Sequence, residues 1–145
     1  MSPDPAVPGN AGDGAEPEHF VANTLSASLT VNDIPKSLAW YRDVLGFTVA
    51  REFERDGKMF AVSLRAGSVP ILITQDDGAK GTGRTKGEGI SLQLTTSQNV
   101  DAIAARIKAA GFTLASEPAD ARGARVFRVL DPDGFKLVIS SERAP

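Results

Sequence analysis

Residues suited to chemistry are scarce in this chain. Among its 145 residues there is no cysteine and a single histidine, His19. Thiolate catalysis, disulfides and cysteine-held metals are therefore excluded. His19 stands near the end of MSPDPAVPGNAGDGAEPEHFVA, a tract rich in Pro, Gly, Ala and acidic residues that reads as a disordered tail over residues 1–22. The segment 76–88, DDGAKGTGRTKGE, superficially suggests a phosphate loop. Its glycines match no phosphate-loop or dinucleotide spacing and no helix begins behind it, so it reads as a mobile linker or lid. Arg125 and Arg128 lie three apart on a strand pattern and point to opposite faces, so at most one can serve a groove.

The elements that must position any site are clearest between Leu25 and Val49. Leu25, Ala27, Leu29 and Val31 alternate with Ser26, Ser28 and Thr30, the pattern of a strand with one apolar face. Asp33 is a helix cap and Pro35 fits a first turn. Ile34, Leu38, Tyr41 and Leu45 form one buried helical stripe, and Gly46 stops the helix. Tyr41 reads as core. Trp40, one position off the stripe, reads as lining an interface or covering a sheet edge.

A shift of 65 positions carries Gly46-Phe47-Thr48 onto Gly111-Phe112-Thr113 and Ser26 onto Ser91, so the unit is duplicated. In the first copy, Thr48–Glu54 and Met59–Arg65 make a hairpin about Asp56-Gly57, and Ile71–Thr74 is a fourth strand. Phe60 reads as core. In the second copy, Ile90, Leu92 and Leu94 alternate with Ser91, Gln93 and Thr95. Val100, Ile103, Ala104 and Ile107 stripe a helix capped by Ser97 or Asn99. Phe112–Ala115 reads as a short strand, SEPADARG as a loop, and Arg125–Leu130 and Phe135–Ser140 as strands about the turn Asp131-Pro132-Asp133-Gly134. The organisation is one domain over 23–145: a βαβββ unit at 24–75, the linker 76–88 and a second unit at 89–142.

Composition bounds the function. The chain is 41% hydrophobic and 23% charged, ordinary for a globular domain, and its net charge of −2 argues against a nucleic-acid partner. The start has no basic, apolar signal pattern, and no apolar run reaches the ~20 residues that span a bilayer. The expectation is a cytoplasmic protein.

LTVNDIPKSLAWYRDVLGF and the late DPDGFKLVI resemble the vicinal oxygen chelate superfamily, which includes glyoxalase I, extradiol dioxygenases and bleomycin-binding resistance proteins. The resemblance spans residues 24–142. It implies an α+β fold of two paired βαβββ units forming a cupped mixed sheet, and commonly a homodimer with grooves at or near the interface. In the family's metalloenzymes a divalent ion sits in the cup on His, Glu or Gln from the first strand of each unit and Glu from the fourth. Counting along the family pattern puts those positions at Ser26, Leu72, Ser91 and Val138, with Gly89 as an alternative to Ser91. None is a strong ligand.

Side chains two residues away share the face: Ser28, Thr30, Thr74, Gln93, Thr95, Lys136 and Ser140. No base is placed to activate these hydroxyls. The expectation is a metal-free, cofactor-free protein without catalytic residues, binding a small organic molecule through Ser26, Ser28, Thr30, Leu72, Thr74, Ser91, Gln93, Thr95, Lys136 and Val138. Large, cationic bleomycin would want an acidic groove, which this face lacks. The alternative is a metal-dependent glyoxalase, lyase, isomerase or dioxygenase whose displaced ligand set recruits His19 and Glu88.

Overall fold

A computed structural model of the chain describes residues 18–81 and 83–142. Eight strands run in the order β1 Ala27–Val31, β2 Thr48–Arg55, β3 Lys58–Ala66, β4 Val69–Gln75, β5 Ser91–Thr96, β6 Ser116–Ala121, β7 Ala124–Leu130 and β8 Lys136–Ser141. Helix α1, Ile34–Ala39, continues as a π-helical turn over Trp40–Leu45, and α2 spans Val100–Ala109. The strands form two four-stranded sheets, β1-β4-β3-β2 and β5-β8-β7-β6. In each, the first strand runs parallel to the last and the others are antiparallel. The architecture is the α+β pairing of βαβββ units that the repeat implies. Of the tail expected over 1–22, residues 1–17 lie outside the described residues, as do Thr82 and 143–145; 18–22 are irregular and exposed.

Alternation sorts the two faces of each sheet. Leu29, Val31, Leu64, Ile73, Phe127 and Leu137 are buried against the helices in one shared core, while the opposite face carries the polar rows. The ladders place Ser28 beside Leu72 and Thr30 beside Thr74; they place Ser91 beside Lys136, Gln93 beside Val138 and Thr95 beside Ser140. Caps start both helices. Asp33 accepts from the Lys36 N–H at 3.3 Å and Asn99, rather than Ser97, from the Ala102 N–H at 2.9 Å.

Trp40 is buried to 1% exposure, contrary to the interface expectation. The π turn explains it. The Gly46 N–H reaches back five residues to the Tyr41 carbonyl (3.0 Å), and the wider turn adds a residue to the stripe, turning Trp40 inward beside Tyr41. Their rings meet edge to face, centroids 4.8 Å apart. Phe60, expected in the core, is 38% exposed. The β2–β3 ladder passes from Ala61 to Met59 and skips it, a bulge that removes Phe60 from the alternation, and the Arg55 guanidinium lies over its ring at 4.8 Å.

The stretch read as a loop, SEPADARG, holds strand β6, and no strand forms over Phe112–Ala115. Pro118 has no N–H to donate and is compatible only with a sheet edge or bulge. β6 is both: it is outermost in its sheet, and its pairing is irregular between Ser116 and Ala119. Its hairpin turns on Arg122 (φ 52°) and Gly123 (φ 82°), the same left-handed pair that Asp56 and Gly57 make between β2 and β3.

The linker is anchored at both ends. The Asp76 N–H donates to the Val31 carbonyl at 2.8 Å. Lys86 Nζ lies 2.6 Å from Asp76 Oδ2, with those side chains only 7% and 12% exposed, and this pairing holds the Asp76 carboxyl below the usual range.

Candidate functional site

A cavity of about 500 Å³ opens between β1 and β5. Five successive residues on each side border it, Leu25 to Leu29 and Ile90 to Leu94. Successive strand residues point to opposite faces, and three in a row on β1 (Ala27 to Leu29) and four on β5 (Ser91 to Leu94) touch this space, so it runs along the strand edges. β1 and β5 are the terminal strands of their sheets and do not pair with each other. The space is therefore a seam between sheets, floored by Tyr41, Phe47 and Leu137.

Four of the ten candidate residues border this seam: Ser26, Ser28, Ser91 and Gln93. The other six do not. Thr30, Leu72 and Thr74 lie on the polar face of the first sheet, where the Thr30 and Thr74 hydroxyls are 3.4 Å apart. Thr95, Lys136 and Val138 lie on the matching face of the second, joined by Arg128, which pairs with Val138. Arg125 faces the other way, bonded to Asp101 on α2 at 3.1 Å. Reasoning from one strand face missed the apolar lining, including Ala27, Leu29, Leu92 and Leu94, because it followed alternation and not edges. A signal was present: the 65-residue shift maps Leu25–Leu29 onto Ile90–Leu94.

The seam's width is set from behind, where the two units bond. The Tyr41 hydroxyl donates to Asp131 Oδ2 at 2.8 Å, across 90 positions of sequence. Asp133 accepts from the Asn32 N–H (3.0 Å) and the Ser37 hydroxyl (3.2 Å). Arg106 on α2 donates to the Val44 and Leu45 carbonyls at 3.0 and 2.6 Å, taking acceptors a helix end leaves free. Asp131 also accepts the Asp133 and Phe135 N–H groups, each at 2.9 Å.

Burial pushes the Asp131 carboxyl above the usual carboxylate range despite these three donors, and burial with the Asp131 charge pushes the Tyr41 phenol up. For an acid with a raised folded pKa, the native state holds the proton more tightly than the unfolded chain. Its stabilising contribution is complete below the unfolded value, near 3.8, and is lost as pH rises through the folded one. Asp131→Asn is thus expected to make stability rise more steeply, or fall less, than in the parent as pH increases above the ordinary carboxylate value of 3.8. Urea denaturation across that range checks it; parallel profiles would refute it.

The sequence pattern of the Glyoxalase/Bleomycin resistance protein/Dioxygenase superfamily matches residues 18–139. The chain belongs to this superfamily. Solved structures with the same fold include a superfamily member from Sphaerobacter thermophilus (24% identity, TM-score 0.67, 84% of this chain and 98% of that one). An integron cassette protein from the mobile metagenome of V. cholerae aligns with 22% identity, TM-score 0.66, and 86% and 98% coverage. A virulence protein from Salmonella typhimurium aligns with 23% identity, TM-score 0.66, and 85% and 98% coverage. At these identities the likeness is one of fold. No curated protein matches the sequence significantly.

Superfamily membership raises the question of a metal, and the donor set answers it. The four positions expected to ligate hold two hydroxyls, Ser26 and Ser91, and two alkyl groups, Leu72 and Val138. The ladders put Leu72 beside Ser28 and Val138 beside Gln93, so no carboxylate or imidazole stands next to either. His19 and Glu88 are exposed in irregular segments, and among the described residues no three His, Cys, Asp or Glu side chains gather. These residues do not fit a divalent ion.

Proposed function

We propose that this superfamily member reversibly binds a small organic molecule, without a metal, in the seam between β1 and β5. The observation carrying this reading is the cavity: about 500 Å³, walled mainly by aliphatic side chains with a few hydroxyls and one amide. Binding sites for small molecules have this size and mix, apolar walls for affinity and sparse polar groups for orientation. Among the described residues bordering the cavity there is no His, Asp, Glu or Lys to act as a general base, so Ser26, Ser28 and Ser91 serve as hydrogen-bonding groups and not as nucleophiles. A homodimer and a cytoplasmic location belong to the same proposal. Among the described residues no helix is long and apolar enough to cross a membrane.

The test has two parts. Protein dialysed after incubation with Ni, Zn, Mn and Fe(II) is expected to retain less than about a tenth of an equivalent, with a melting temperature unmoved by chelator. One retained equivalent would overturn the metal-free reading in favour of an enzyme using His19 and Glu88. A thermal-shift screen of small organic compounds is expected to give ligands that raise the melting temperature without turnover. At a hundredfold excess over Kd the stabilisation is about 2.7 kcal/mol.

A further inference from the structure

The lining of the seam also specifies the kind of molecule it takes. Among the described residues bordering the cavity, none carries a charge. The Asp131 carboxylate that holds the Tyr41 hydroxyl is already engaged with that hydroxyl and two backbone N–H groups. Arg128 and Lys136 stand on the polar face of the second sheet; Lys136 is laddered beside the wall residue Ser91, but neither side chain borders the cavity. A charged ligand would give up water for a lining that offers it no charged partner, which is unfavourable.

Neutral hydrogen-bonding groups, by contrast, stand on both walls. Ser26 and Ser28 on one side are matched across the duplication by Ser91 and Gln93 on the other. The unpaired edges of β1 and β5 add peptide N–H and C=O groups along both walls. The floor breaks this symmetry. Tyr41 and Phe47, 0% and 5% exposed, meet edge to face behind the walls with centroids 5.6 Å apart, and the Tyr41 hydroxyl is held by Asp131. The 65-residue shift puts Arg106 and Phe112 at the equivalent places. Arg106 is turned away to the Val44 and Leu45 carbonyls, and Phe112 is 39% exposed.

We infer that the seam selects an uncharged molecule with an apolar body, held between the aliphatic walls, and neutral hydrogen-bonding groups such as carbonyl, hydroxyl or amide at its edges. The inference rests on the binding reading above and names its ligand class.

The test is a matched pair of fluorescent probes of nearly one shape: neutral N-phenyl-1-naphthylamine and its anionic relative 8-anilinonaphthalene-1-sulfonate. Fluorescence titration is expected to show the neutral probe binding with one-to-one stoichiometry and at least tenfold more tightly. Ser91→Trp, at an exposed wall position, fills the space and is expected to abolish that binding. Ser28→Lys supplies a cation to the wall and is expected to shift the preference toward the sulfonate, which keeps the inference testable should Ser91→Trp fold poorly. Equal or tighter binding of the sulfonate by the parent would overturn the ligand class and leave the binding reading standing. Binding of neither probe would overturn both. Undiminished neutral-probe binding by well-folded Ser91→Trp would place the probe elsewhere and overturn the inference.

Discussion

Asp131→Ala is expected to destabilise the protein by about 3–5 kcal/mol, more than any other single carboxylate replacement in the chain. Asp131 is 5% exposed and accepts three hydrogen bonds, from the Tyr41 hydroxyl and from the N–H groups of Asp133 and Phe135. Truncation strands all three donors, and each buried donor without a partner costs about 1–3 kcal/mol before water or relaxation recovers part. The bond to Tyr41 joins the two βαβββ units, so its loss loosens the seam as well as the turn. At about 2–4 °C per kcal/mol for a chain of roughly this size, the melting temperature should fall by about 6–20 °C. Asp131→Asn, which keeps an acceptor, should lose less, and Tyr41→Phe about 1 kcal/mol. The double variant should cost less than the sum of its parts, because both touch one bond. An Asp131→Ala melt within about 2 °C of the parent would show that the buried carboxylate is not what joins the units.

Gly87→Ala should cost about 2–4 kcal/mol although it adds one methyl group to a linker. Gly87 has φ +79°, and a Cβ there would stand 2.9 Å from the Gly134 carbonyl oxygen and 2.9 Å from Phe135 Cα. Both obstacles are backbone, in and just after the Asp131–Gly134 turn, so neither can rotate aside. The left-handed backbone alone costs a non-glycine residue about 1–2 kcal/mol, and the collision adds to it. Gly83, four residues earlier, is the control: it needs no positive φ and nothing lies within 4 Å of its added Cβ. Gly83→Ala is expected to be neutral or slightly stabilising, by up to about 1 kcal/mol through a less flexible unfolded chain. Parallel urea titrations of the two variants decide the matter. Equal effects would mean that residue 87 does not press against the turn.

What could be read locally was read well. The strand alternation over Ala27–Val31, the Asp33 cap, the Gly46 stop and the Asp56-Gly57 hairpin each depend on residues within a turn or two of one another, and all occur; Leu25, expected on the same apolar face, lies before the strand and is 91% exposed. Local reading failed where a neighbouring element decides. Trp40 enters the core through a π turn that the stripe does not announce, and Phe60 leaves it through a bulge defined against β2. Pro118 is compatible with a strand only because β6 is an edge, which is a property of the sheet and not of SEPADARG.

The candidate site divides the same way. The sequence by itself determined the duplicated unit, the polar character of Ser26, Ser28, Ser91 and Gln93, and the two hydroxyls and two alkyl groups at the four counted ligand positions. Tertiary structure alone decided that these four meet across a seam with Tyr41 and Phe47 beneath them, while Thr30, Leu72, Thr74, Thr95, Lys136 and Val138 stay on the sheet faces. The spacing of that seam is held by Tyr41 to Asp131 and Arg106 to Leu45, bonds between residues 90 and 61 positions apart. A strand's period states which of its side chains share a face; which edge lies opposite which is settled only by such distant contacts.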